Sequence, residues 1–80
     1  MSGRPVKRSL TLRGHRTSVS LEDAFWTAFR AMAKAEGVAI NELAARIDEA
    51  RDPEVGLASS IRVAILDNLH AKLEDRRESL

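Results

Sequence analysis

Arg16-Thr17-Ser18-Val19-Ser20-Leu21 decides the reading of this chain. Thr17, Val19 and Leu21 alternate with Arg16, Ser18 and Ser20, the period of a half-buried strand. One side packs on a core; the other presents a cation and two hydroxyls. Immediately afterwards the period lengthens. Leu21, Phe25, Ala28, Phe29, Met32 and Ala35 fall three or four apart, as on one face of a helix running from Glu22 to Glu36. A lone strand followed by helices cannot satisfy its own edge. A second copy of the chain is the obvious donor.

Size points the same way. Eighty residues make one small domain with limited capacity to bury a core alone. The chain has no cysteine, so no disulfide framework and no thiolate metal site. No apolar run approaches membrane-spanning length, and nothing reads as a signal peptide. These features describe a soluble, cytoplasmic protein. The net charge of +1 conceals a division. Residues 1–20 carry Arg4, Lys7, Arg8, Arg13 and Arg16 with no acid, a balance of +5; the rest carries the other eight basic side chains against all 12 acidic ones, a balance of −4. Such asymmetry suits an anionic partner at one end, or a solubilising basic tail.

The remaining segments follow from period and punctuation. Residues 1–6 hold Gly3 and Pro5 and read as mobile. Ser9 to Arg13 alternates again, so residues 1–12 are either a basic arm or an extra strand returning through Gly14-His15 in a hairpin. Ser20 and Asp23 fit an S-x-x-D cap for the first helix, a role that competes with Ser20 facing outward. Gly37 closes that helix. A second helix runs from Ala39 or Ile40 to Arg51 on an alanine-rich stripe, stopped by Asp52-Pro53. The last starts at Ala58 to Ser60 with Ile61, Ala64, Ile65, Leu69 and Leu73 on one face. Val63 and Leu66 make it apolar around most of its circumference, which predicts burial. Residues 71–80 form a charged helix end.

Strand, helix, Gly37 and further helices resemble the ribbon-helix-helix DNA-binding proteins of the Arc and methionine-repressor type. More closely, Arg13-Gly14-His15-Arg16-Thr17-Ser18-Val19-Ser20-Leu21-Glu22 with Phe25-Trp26 is similar to a small bacterial ribbon-helix-helix family of largely unassigned function. The resemblance covers Lys7 to Leu69, with the domain proper at residues 13–70. It implies a mainly α fold: one N-terminal strand, paired antiparallel between two chains, then three helices. One of the three is an insertion, because that class has two. Either Gly37 to Glu42 opens the class's second helix, or Gly56 to Arg62 does and residues 40–51 are inserted; the greater apolarity of residues 57–69 favours the latter.

The same resemblance implies a homodimeric, sequence-specific DNA-binding protein, a transcriptional regulator. Arg16, Ser18 and Ser20 would read bases from the major groove as an intermolecular ribbon. Arg4, Lys7, Arg8, Arg13 and His15 would hold the DNA backbone. Asn41, Ser59 and Ser60, at helix N-termini, would clamp phosphate or simply cap. Val19, Leu21, Phe25, Phe29, Ile61, Ile65 and Leu69 would form the dimer core. The DNA partner would be an inverted repeat, by two-fold symmetry. Trp26 reads as core in preference to a base-stacking platform. Two alternatives accompany this reading: an antitoxin masking a toxin protein, and a dimeric interaction module that no longer reads DNA.

No chemistry of catalysis is visible. His15 and His70 lie in separate elements, and no carboxylate spacing completes a metal site. Phosphate-loop, dinucleotide and nucleophile-elbow motifs are missing. Neither enzyme activity, a cofactor, a metal nor a membrane partner is expected.

Overall fold

The computed structural model describes residues 3–78; the parts of the mobile-segment and charged-end expectations at residues 1, 2, 79 and 80 lie outside the described residues. Two strands, β1 (Val6–Leu12) and β2 (His15–Leu21), are followed by three helices, α1 (Asp23–Glu36), α2 (Ile40–Ala50) and α3 (Leu57–Glu78). The segment left open between an arm and an extra strand is therefore a strand. It pairs antiparallel with β2 along its whole length, Val6 with Leu21 through Leu12 with His15. The connection is Arg13-Gly14, not Gly14-His15. Both residues have positive φ, 50° and 86°. Left-handed backbone at both loop positions is the type I′ arrangement that matches the twist of paired strands. The strand thus finds its first partner within its own chain, with the edge of β2 away from β1 left for any other.

Alternation sorts the hairpin into two faces. Leu10, Leu12, Val19 and Leu21 turn inward and are buried. They meet Phe29 and Ala33 of α1, Leu43, Ala44 and Ala45 of α2, and Ile61 and Ile65 of α3 in one core. Phe29, Leu21 and Ile61 are its largest fully enclosed side chains. Helix α1 ends as Gly37 predicts. Its φ is 71°, and the N–H groups of Gly37 and Val38 return to the carbonyls of Lys34 and Ala33, both at 3.1 Å.

The start of α1 departs from expectation. Glu22, not Ser20, occupies the cap position and makes no side-chain capping bond. Ser20 is still inside β2, so its hydroxyl points off the outer face and cannot turn back to the helix. Helix α3 departs as well. Its apolar surface is as broad as expected, but one chain covers only part of it: Val63, Leu66, Leu69 and Leu73 remain half-exposed. Among the described residues no helix is long and apolar enough to cross a membrane.

Candidate nucleic-acid interface

The outer face of the hairpin carries six side chains in three cross-strand pairs: Lys7 with Ser20, Ser9 with Ser18, and Thr11 with Arg16. All six are exposed. None is a carboxylate, and none of their side chains has a hydrogen-bond or ion-pair partner among the described residues. Counting back from the Leu12–His15 pair that closes the loop, these are the three non-hydrogen-bonded pairs of the ladder. Their backbone groups therefore point off the two edges of the hairpin. On the β1 edge, the Thr11 N–H donates to Oδ1 of Asn41 at 3.1 Å. On the β2 edge, the Ser20 carbonyl accepts from Nη2 of Arg62 at 3.2 Å. The backbone groups of Arg16 and Ser18 on that edge have no partner among the described residues.

Two other cations near the N-terminus, Arg8 and Arg13, are already paired with carboxylates. Arg8 shares the inward parity of Leu10 and Leu12. Its guanidinium lies over Trp26, 5.2 Å from the ring centroid, and pairs with Asp23. Arg13, at the loop, bonds Glu42 at 2.5 Å and Glu49 at 2.9 Å. Donating hydrogen bonds to these two carboxylates holds Arg13 in its charged form and raises its pKa above the ordinary arginine value. Glu42 in turn is held below the usual carboxylate range, by Arg13 first and Arg46 second. A phosphate contact by Arg8 or Arg13 would have to displace these carboxylates. Arg4 is exposed ahead of β1. His15, the first residue of β2, is exposed too, but it pairs with Leu12 and so has the inward parity of Val19 and Leu21, off the outer face.

Of the helix N-terminal residues, Asn41 spends its side-chain oxygen on Thr11. Ser60 does not cap α3: it lies inside the first turn and its hydroxyl donates back to the Gly56 carbonyl at 3.1 Å. Ser59 is exposed. The residues expected at a dimer core divide differently. Val19, Leu21, Phe29, Ile61 and Ile65 are buried within one chain, Phe25 is half-buried, and Leu69 is half-exposed. Trp26 is half-buried, 6.4 Å from Phe29 between ring centroids, and is covered by Arg8. That position makes it part of the packing under the hairpin.

Arg62 carries a role that sequence reasoning missed. Its guanidinium bonds Glu22 at 2.7 Å and lies 5.4 Å from the Phe25 ring centroid while holding the Ser20 carbonyl. It joins α3 to the end of β2 and lowers the Glu22 pKa. Local spacing offers no signal for contacts spanning forty residues.

A polar, acid-free two-stranded ribbon seated on three helices is the class of fold this chain presents. The chain belongs to the ribbon-helix-helix domain family, which residues 5–69 match. That span includes the hairpin, α1, α2 and α3 as far as Leu69. Proteins of this family are generally DNA-binding, regulator-type proteins that form dimers. No curated protein and no solved structure matches the chain.

Proposed function

We propose that this protein is a homodimeric, sequence-specific DNA-binding protein that regulates transcription. Two β2 strands pair edge to edge and enter the major groove, where Arg16, Ser18 and Ser20 of each chain face the bases. Arg16 is suited to guanine O6 and N7 together; the serines donate and accept less selectively. Arg4 and Lys7 lie at the margins, where phosphates run; His15, on the core-side parity of β2, leaves this set. Ser59 lies in the first turn of α3, at a helix N-terminus whose free N–H groups favour an anion.

The observation that carries this reading is the contrast among the cations. Arg8 and Arg13 are committed to carboxylates, whereas Arg16 stands exposed on a face with no acid. The open β2 edge beside Arg16 and Ser18 supports pairing between copies, since an unpaired edge is a template for another strand. The half-exposed stripe of α3 supports a second apolar contact.

Selection of bound duplexes from a random pool tests the proposal. An enriched inverted repeat is expected, with binding that weakens steeply as salt rises through counterion release. No enrichment and no salt dependence would remove DNA as the partner.

One observation favours a second reading. Next to the α3 stripe lies an open groove of about 400 Å³ lined by Ile47, Val55 and Val63 among others. In an antitoxin, that surface would hold a toxin protein. Co-purification with a small partner encoded beside it would favour this alternative.

A further inference from the structure

We propose that β1 is a DNA-positioning strand, with Ser9 and Thr11, together with Lys7, holding the phosphate walls of the groove that β2 reads. The inference rests on the proposed pairing of two β2 strands. Each β2 already has β1 on its other side, so the paired sheet has four strands in the order β1-β2-β2-β1. Neighbouring strands lie about 4.8 Å apart. The two β2 strands therefore fall within roughly 2.4 Å of the two-fold axis, while the β1 strands stand about 14 Å apart. The major groove is about 12 Å wide. The inner pair fits inside it, and the outer pair meets its walls.

What β1 presents there matches the walls chemically. Lys7, Ser9 and Thr11 are all exposed on the same face as the reading residues, directly across from Ser20, Ser18 and Arg16. An ammonium and two hydroxyls can each donate to a phosphate oxygen, and such contacts fix register without reading sequence. No carboxylate on this face opposes the approach. The strand is also held firmly. Asn41 caps the Thr11 N–H, and Arg13 ties the adjoining loop to Glu42 and Glu49 of α2. The backbone that carries these side chains is thereby placed in advance, so contact costs side-chain freedom only.

The test compares wild type, Ser9→Ala with Thr11→Ala, Lys7→Ala, and Arg16→Ala on the selected duplex and on a scrambled one, across a salt series. Circular dichroism confirms that each variant is folded. The serine–threonine double variant is expected to weaken both duplexes by a similar several-fold factor, leaving base preference intact. Lys7→Ala should in addition reduce the salt slope by about one per chain. Arg16→Ala should weaken the selected duplex far more than the scrambled one. A double variant that binds like wild type while Arg16→Ala loses preference overturns the assignment to β1 and leaves the reading by β2 standing. A double variant whose loss is confined to one base position also overturns it, by making β1 a reading strand. Wild type without salt-dependent binding to any duplex sinks both proposals.

Discussion

At the scale of single residues, a cation's neighbours decide what it can do. Arg8 and Arg16 look alike in the sequence, one residue type in one basic segment. Arg8 lies inward over Trp26 and pairs with Asp23, and Arg16 faces solvent alone. Arg16→Ala should therefore cost about 1–3 kcal/mol of binding and relax preference at one position per half-site. Arg8→Ala should instead lower the melting temperature and leave the salt slope of DNA binding unchanged; a reduced slope would return Arg8 to the phosphate-contacting set. The distinction was not legible beforehand, because the partners of Arg8 and Arg13 lie 15, 29 and 36 residues away. Burial was easier to read. Phe29 repeats the helical period from Leu21 and Phe25, and it is completely enclosed. Phe29→Ala should cost about 3–5 kcal/mol, read from the urea midpoint of unfolding.

At the scale of elements, the hairpin was half legible. Ser9 to Arg13 alternates as a strand does, but the same alternation fits an arm that orders on phosphate. What selects the strand is pairing with β2 and burial of Leu10 and Leu12 in the core, with α2 adding Asn41 on the Thr11 N–H and Glu42 and Glu49 on Arg13. Two consequences belong to this joint. A Cβ at Gly14 would meet nothing within 4 Å, so Gly14→Ala is penalised by backbone alone at φ 86°. The loss should be about 1–2 kcal/mol, measurable in urea, with the hairpin retained. The second consequence is an acid limb. Glu42 titrates below its unfolded value because Arg13 and Arg46 favour its charged form. Its contribution to stability is thus complete above the unfolded carboxylate pKa and is lost as pH falls through the lower, folded one. Glu42→Gln should flatten this part of the stability-against-pH curve. An unchanged curve would mean that the Arg13 cluster does not support the fold in solution.

At the scale of the whole molecule, the surface of α3 sets the expected assembly. An apolar circumference predicts burial, yet a single chain covers only the side bearing Ile61 and Ile65. Sequence alone could show that α3 is greasy all round but not how its circumference is shared, since a core residue and an interface residue are chemically the same. Val63, Leu66, Leu69 and Leu73 sit at spacings of three and four, so they form one stripe along the helix, each about half-exposed. A contiguous apolar stripe of this kind marks an interaction surface. If a second copy covers it, the melting temperature should rise with protein concentration, because association stabilises only the folded chain. Leu66→Lys with Leu73→Lys then separates folding from assembly. Both side chains lie outside the buried core, so circular dichroism should keep its helical signal while sedimentation shifts from dimer to monomer. Binding to an inverted repeat should fall with it, because each separated chain offers only one β2 strand to the groove. A double variant that still sediments as a dimer would move the subunit contact away from α3, leaving the open edge of β2 to hold the two copies together.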